Sequence, residues 1–564
     1  MRWLLTLLVL ANCMAIAMAD TVARAPVFPR PLLAVAGSVT VLCYHEVRDD
    51  VRDYPDPFAV DSAALVRQFA WLRENAYVPV RLDDIVAARS GDKPLPAKAV
   101  LLSFDDGYLS FYTRVYPLLR EFGFPAVLGV VGKWIEQPAQ SAERYGEKGT
   151  VVGASFPTWG QLREMAASGL VEIASHTYDL HRGVPANPQG NLQPAATARI
   201  HHAASGAYED DAHWRARVRA DLARNADLIE RETGRRPRAI VWPYGSYNDE
   251  LVRIAGELGM GIGLTLIDGI NTPAVPLTAL RRILIEHNPS LAEFALEVRG
   301  PLYTEPLRVV QVKLDDVVSA DPAQQERKLS ALLERILVLK PTHVYLRATS
   351  DTQGDGGAHA AYFPNRHLPL RADLFNRVAW QLASRVDVKV YAVMPMTAIG
   401  LPQDRIVEVY EDLARNAPID GLVFDDSTAP GSADSASSLP QDARSFELTQ
   451  RLAARARAFR APLKTVRTTR SVQDLAGLAA QYDYVALIGR ADGSSLDPER
   501  RRDPVFILPG AVAPARQMRA LQLGGALNFG YAPDDFAHDR PALADTAPAM
   551  SLRVNPLPPG AARK

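Results

Sequence analysis

This sequence predicts an α/β chain built from two successive parallel-strand units, and three observations carry that expectation. From Val39 to about Pro301, short apolar runs alternate with helical patterns, as in parallel βαβ units that can close into a barrel. A second series of eight apolar runs begins near Arg308, the strand count of a (β/α)8 barrel. The chain has 564 residues, more than one ordinary core accommodates, so two or three domains are expected.

The N-terminus reads as a signal peptide over residues 1–19. Arg2 precedes the apolar run Trp3 to Ala11, and Ala17-Met18-Ala19 before Asp20 fits a small-residue cleavage site. No later apolar run approaches the roughly 18 residues needed to span a bilayer, so the mature chain is expected to be soluble or peripherally attached. Leu10-Ala11-Asn12-Cys13 weakly resembles a bacterial lipidation site. Asn12 disfavours an outer-membrane anchor on Cys13, because that pattern wants a small residue there. A chain starting at Asp20 keeps Cys43 alone, so no internal disulfide is expected. Hydrophobic residues are 48% and charged residues 23%, a globular composition. The 63 basic and 64 acidic side chains argue against a nucleic-acid partner, which calls for a basic excess.

Residues 20 to about 38 form a lead-in rich in Pro, Ala and Val. The first unit's strand candidates are Ser38–Tyr44, Ala99–Phe104, Pro125–Val131, Leu170–Ser175 and Ala239–Trp242, with helices such as Ala63–Asn75 and Trp214–Thr233. Residues 186 to 212 read as a loop-like insertion. The second unit's candidates are Val309–Leu314, His343–Leu346, Val388–Val393, Gly421–Phe424, Leu463–Val466, Tyr484–Ile488, Val505–Leu508 and Ala526–Phe529. Ser427 to Ser438 is rich in Ser, Ala and Gly and reads as a flexible loop.

Three motifs in the first unit carry chemistry. Leu101-Leu102-Ser103-Phe104-Asp105-Asp106-Gly107-Tyr108 is an apolar strand ending in two carboxylates. Adjacent carboxylates are expensive unless a cation or a shared task keeps them there. Their side chains diverge at a strand end, so one can bind a metal while the other handles protons. Asp-Asp-Gly alone is a common turn. The second motif, Ser175-His176-Thr177-Tyr178-Asp179-Leu180-His181, puts two histidines five apart after another strand. With Asp106 they make a two-His, one-carboxylate set suited to zinc or another first-row metal with open positions. The third, Val241-Trp242-Pro243-Tyr244-Gly245, is a tight turn that can present a backbone N–H to a ligand.

In this order the three motifs resemble the polysaccharide deacetylase (carbohydrate esterase 4) family. Over nearly the whole mature chain the sequence is more closely similar to the periplasmic poly-β-1,6-N-acetyl-D-glucosamine N-deacetylases of Gram-negative biofilm systems. The resemblance implies a distorted (β/α)7 barrel over residues 39–301, followed by a glycoside-hydrolase-like (β/α)8-type barrel over 308–550. It implies partial N-deacetylation of an exported polysaccharide, with an outer-membrane export porin or scaffold as a possible partner. Carried over, Asp105 is the base, and Asp106, His176 and His181 hold a divalent metal, zinc first, with Fe2+, Ni2+ or Co2+ as alternatives. Pro243, Tyr244 and Tyr108 are the expected substrate contacts, the Tyr244 N–H serving the oxyanion. The wider family has an arginine two residues before the proline of the third motif. Val241 stands there, so Asp105 is expected to lack that partner.

A general acid must protonate the departing amine, and two histidines compete. His45 ends the first strand, and His287 follows the last strand of this unit. The resemblance to the biofilm subfamily favours His45, where the motif order is circularly permuted. His287 is the alternative, from the wider family.

In the second unit, Ala361-Tyr362-Phe363-Pro364-Asn365-Arg366, Tyr482-Asp483-Tyr484 and Asn528-Phe529-Gly530-Tyr531 resemble the glycoside-hydrolase-like domain of the same subfamily. That implies binding, and in some relatives cleavage, of partly deacetylated polymer. Asp315, Asp316, Asp425, Asp426 and Tyr531 are the candidate groove residues. A glycosidase needs two carboxylates at a set separation, which adjacent Asp residues do not supply by themselves. Short segments after Pro395 and Asp426 stand where relatives carry loops that wall the groove, which favours binding over cleavage. The competing readings are a deacetylase of another N-acetylated glycan, chitin or peptidoglycan, and a non-catalytic polysaccharide-binding export scaffold.

Overall fold

The computed structural model describes residues 36–145, 149–299, 306–354, 357–396, 399–425, 443–489, 503–511 and 514–552. The leader with Cys13, Asp426 and the loop expected over 427–438 lie outside the described residues.

The first unit is a curled parallel sheet. Its strands are β1 (Val39–Tyr44), β2 (Ala99–Phe104), β3 (Ala126–Val130), β4 (Val171–Ser175), β5 (Ala239–Val241), β6 (Ile262–Leu264) and β7 (Ile283–Leu284). They pair in the order β6-β5-β4-β3-β2-β1-β7. The strands β1, β2 and β3 are buried from end to end, as expected for a parallel sheet covered on both faces. Helix α1 (Ser62–Glu74) is capped by Asp61, whose side chain accepts the Ala64 N–H. Helix α2 (Asp211–Thr233) is capped by Asp210 and ends at the left-handed Gly234.

The ladder does not close between β6 and β7. The intervening segment spans the gap instead: the Thr265 N–H donates to the Leu280 carbonyl, the Leu280 N–H to Gly263, and the Arg282 N–H to Ile267. With an eighth, two-residue strand, Val78–Pro79, pairing beside β2 off this path, this curled, unclosed sheet is the distorted deacetylase barrel the sequence resemblance implies. Such a gap leaves Arg282 at the barrel wall, pointing inward, and that placement shapes the site.

The second unit is a closed parallel barrel of eight strands. They are β8 (Arg308–Lys313), β9 (His343–Arg347), β10 (Lys389–Met394), β11 (Gly421–Phe424), β12 (Lys464–Thr469), β13 (Tyr484–Ile488), β14 (Val505–Pro509) and β15 (Asn528–Ala532). Its interior is filled by Val309, Tyr345, Tyr391, Val423, Val466 and Ile507 among others, so it is a packed core rather than a pore. A larger apolar layer lies between the strands and the surrounding helices.

The segment expected as a loop over 186–212 holds the hairpin His201–His202 with Ala207–Tyr208, and its strand Leu192–Pro194 pairs back onto Gly183–Pro185 just ahead of it. Their side chains reach the second unit. Asn187 and Gln193 both donate to the Asn376 side-chain oxygen, and the Tyr208 hydroxyl donates to Asp373.

Candidate active site

The site lies at the C-terminal ends of β1, β2 and β4 and in the turn after β5, where a parallel α/β barrel presents its loops. Asp105 continues the β2 ladder, its N–H donating to the Tyr44 carbonyl at 2.9 Å. Asp106 then takes φ +69° and Gly107 φ +73°. A left-handed aspartate costs about 1–3 kcal/mol and persists where the surroundings demand it. Here the reversal separates the two carboxylates. Asp106 turns toward the histidines, while Asp105 stays inside the barrel. A Cβ on Gly107 would lie 3.1 Å from the Val130 side chain, so the glycine answers both to its φ and to close packing.

Asp106, His176 and His181 converge. The Asp106 Oδ1 atom is 3.3 Å from His176 Nε2 and 3.2 Å from His181 Nε2. All three side chains are buried. Burial alone would raise the Asp106 carboxyl, but the neighbouring imidazoles outweigh it and hold the group well below the ordinary carboxylate range. His176 Nδ1 lies 2.8 Å from the Val241 carbonyl oxygen. That contact places a proton on Nδ1 and leaves Nε2 as the ring atom turned toward Asp106, the atom this histidine would offer a metal. Three ligand atoms of the right kind within 4.8 Å of one another fit a divalent first-row ion.

Asp105 is held by a group the sequence did not reveal. Arg282 Nη1 donates to Asp105 Oδ1 at 2.6 Å and Nη2 to Oδ2 at 2.9 Å. Arg282 Nε donates to the Thr265 carbonyl at 2.7 Å, so the guanidinium is anchored from behind. Burial raises the Asp105 carboxyl, yet Arg282, His176 and His45 together outweigh burial and the group sits below its ordinary range. Asp105 does lack an arginine from the position two residues before Pro243, as expected, and a different arginine takes that role. Val241 does stand in the position noted, and it serves His176 through its carbonyl. The charge partner arrives from the segment just ahead of β7, which pairs with β1 beside β2. Cys43 Sγ donates to Asp105 Oδ2 at 3.5 Å, and burial keeps the thiol protonated by pushing its pKa well up.

The two histidines that compete as acid are placed very differently. His45 Nε2 lies 3.9 Å from Asp105 Oδ2, and its side chain is 14% exposed. Its ring leans on Phe58, with centroids 5.1 Å apart. His287 is an exposed residue at φ +57° whose N–H donates to the Pro57 carbonyl. Geometry therefore brings His45, and not His287, to Asp105.

An aromatic wall flanks the centre. Tyr244 lies 4.5 Å from His181 between ring centroids, and Trp134 lies 4.9 Å from it. Phe156 links Trp134 to Tyr108, at 5.5 and 5.8 Å. Tyr244 is 40% exposed and adopts φ +58°, with its ring partly open to solvent beside His181. Pro243 is buried and shapes the turn rather than offering a side chain. Flat aromatic faces with one polar end suit the apolar faces of sugar rings.

In the second barrel, Asp315 follows β8 and accepts from the Tyr362 hydroxyl at 2.9 Å and from Ser350. Asp425 follows β11, is buried, and accepts from Thr468 at 3.0 Å. Both stand at the C-terminal rim. Asp316 is half-buried beside Asp315, and burial raises its carboxyl. Tyr531 does not line a groove. Its strand runs on to Ala532, so strand alternation turns the ring outward into the helix-facing layer. There its hydroxyl donates to Asp534, which Arg335 also holds.

Comparison with known proteins matches this architecture. The polysaccharide deacetylase family model matches residues 92–263, and one described as hypothetical glycosyl hydrolase family 13 matches residues 311–406. A poly-β-1,6-N-acetyl-D-glucosamine N-deacetylase of Escherichia coli is 33% identical over 91% of this chain and 92% of its own length. Among solved structures, the deacetylase domain of BpsB from Bordetella bronchiseptica is 49% identical, covering 46% of this chain and 98% of that one, with a TM-score of 0.41. The glycoside hydrolase domain of the Bordetella bronchiseptica protein is 28% identical, covering 44% of this chain and 99% of that one, with a TM-score of 0.37. Identity of this order along nearly the full length of both proteins leaves one assignment: the chain belongs to the poly-β-1,6-N-acetyl-D-glucosamine N-deacetylase family.

Proposed function

We propose that this chain removes acetyl groups from part of the N-acetylglucosamine residues of poly-β-1,6-N-acetyl-D-glucosamine as the polymer is exported to a biofilm matrix. The observation that carries the reading is the separation of two adjacent carboxylates. Asp106 faces two histidines while Asp105 is clamped by Arg282 beside His45.

Asp106, His176 and His181 would hold the metal, zinc first, with Fe2+, Ni2+ or Co2+ as alternatives. When bound, the metal would polarise the acetamide carbonyl and lower the pKa of a water. Asp105 accepts the proton of the attacking water. Arg282 keeps that carboxylate ionised and aimed, so the base is ready at neutral pH. The Tyr244 N–H donates to the developing oxyanion, where a preorganised donor is most effective. His45 gives a proton to the departing nitrogen, which without it is a very poor leaving group. Tyr244 and Tyr108 present rings to the sugar.

Asp315 and Asp425, at the rim of the second barrel, support a role in binding the deacetylated polymer, whose new amines are cationic. The proposed setting is the periplasm, with residues 1–19 as a cleaved signal peptide and an outer-membrane porin as the onward partner. No helix among the described residues is long and apolar enough to cross a membrane.

The test is to incubate purified protein with β-1,6-linked N-acetylglucosamine oligomers and divalent metal, and to assay free amines. Amine release that disappears on chelation is the expected result. Release from chitin oligomers alone would overturn the choice of polymer. Shortening of de-N-acetylated chains, lost in Asp425→Asn, would add cleavage to the second barrel's role.

A further inference from the structure

Between the two histidines runs a turn that does not hold itself. His176 follows β4, and Thr177 then adopts φ +68°, an outlier for a β-branched side chain. Tyr178, Asp179 and Leu180 lead on to His181. The position of His181 against Asp106 therefore depends on this turn as well as on the Trp134 and Tyr244 rings beside it.

Its supports come from outside. The Thr177 and Tyr178 carbonyls accept from the N–H groups of Gly132 and Lys133, at 3.2 and 3.0 Å. The Thr177 N–H donates to the Ser175 hydroxyl at 3.3 Å. The next two N–H groups go to one side chain on α2. Tyr178 donates to Asp221 Oδ1 at 2.9 Å, and Asp179 donates to Asp221 Oδ2 at 2.8 Å. One turn further along α2, the fully buried Asn225 donates to the Ser175 hydroxyl at 2.8 Å and to the Val130 carbonyl at 3.2 Å. Residues four apart share a helix face, so one face of α2 grips both the start and the middle of the turn. The fit is close, since a Cβ on Gly132 would fall 2.1 Å from Asn225 Oδ1. Neither Asp221 nor Asn225 is among the histidines' own partners. A carboxylate is the side chain that can take two consecutive N–H groups, one on each oxygen.

We propose that Asp221 is a positioning residue for the metal centre: by capturing the Tyr178 and Asp179 N–H groups it fixes the turn that sets His181 against Asp106. This rests on the reading of Asp106, His176 and His181 as the metal-holding set. Asn at 221 keeps one acceptor and turns a donor toward the second N–H. Loss of a partner that orients a ligand directly weakens metal binding about 10–100-fold, and that range sets the scale for a residue that orients one through its turn.

The experiment measures Co2+ binding to metal-stripped full-length protein, by visible absorption and by competition with a chelator, alongside the thermal melt of the metal-free form. Wild type is expected to bind Co2+. Asp221→Asn is expected to bind about 10–100-fold more weakly, with a changed visible spectrum and an intact cooperative melt. Asp221→Glu, which keeps two acceptor oxygens, should recover most of the affinity. Asp227→Asn, on an exposed face of the same helix, should match wild type. Wild type taking up no Co2+ would overturn the metal reading itself. Wild-type affinity in Asp221→Asn would overturn only the positioning role. Loss of the cooperative melt in both Asp221 variants would make Asp221 a residue of the fold and overturn it too.

Discussion

Arg282 and Asp105 meet fork to fork inside the first barrel, with contacts of 2.6 and 2.9 Å and both side chains shielded from solvent. A bidentate pair of this kind fixes orientation as well as charge. Arg282→Gln should therefore damage both function and fold. Deacetylation is expected to fall by about 10²-fold or more, the scale of a misplaced general base. Stability should fall by about 3–5 kcal/mol, because Asp105 is left as an unpaired buried charge. Arg282→Lys should restore charge but not the fork, and so recover stability more than rate. Amine-release kinetics and thermal melts check both, and an unchanged rate in Arg282→Gln would remove the arginine from the mechanism.

His45 and His287 make a clean comparison, because only His45 lies beside the base. His45→Ala is expected to lower the rate about 10²–10⁴-fold, the usual worth of a general acid, with metal binding retained. His287→Ala should leave the rate unchanged, since the side chain is exposed. The reverse pattern in amine-release assays would return the acid to the late position.

Much of this was legible in the sequence, and the exceptions have physical reasons. Strands such as Ala99–Phe104 and Gly421–Phe424 could be read because buried parallel strands are continuous apolar runs. The candidate residues could be read because Asp105, Asp106 and His176 sit directly after such runs, with His181 five residues beyond His176. Arg282 could not be found in this way. It precedes a strand of two residues, and it reaches Asp105, 177 residues away in sequence, because β7 pairs beside β1. Arg281-Arg282 ahead of Ile283-Leu284 was the one available cue. Tyr531 was misread for a local reason: the strand was expected to end at Phe529, and its extension to Ala532 fixes the face by alternation. The hairpins between Gly183 and Tyr208 were hidden because their strands are too short to show a period.

The two adjacent carboxylates should separate in their variants. Asp106→Asn is expected to abolish tight Zn2+ or Co2+ binding and with it the activity. Asp105→Asn should keep the metal and lose about 10²–10⁴-fold in rate. Chelation of the wild type should silence it, and added metal should restore it. Metal content per chain, measured beside amine release, checks the division. Equal metal loss in both variants would show that Asp105 is also a ligand.

Glu297 offers a pH-dependent stability test away from the chemistry. It lies in the helix Leu291–Val298. Burial, and then the nearby Glu286, Glu293 and Asp268, push its carboxyl up to about 7 from an ordinary value of 4.5. In the unfolded chain the group ionises near 4.5, so between that value and about 7 the folded state holds the extra proton. Its contribution to stability is therefore fully present below the unfolded value and is lost as pH rises through the folded one. Glu297→Gln stays neutral throughout. The variant should melt higher than wild type at pH 8, and the difference should shrink steadily as pH is lowered from about 7 toward 4.5. The group is partly exposed, so solvent screening keeps the effect well below what full burial would produce. Paired melts of metal-free protein across that range decide it, and a difference that grows toward acid would reverse the assignment.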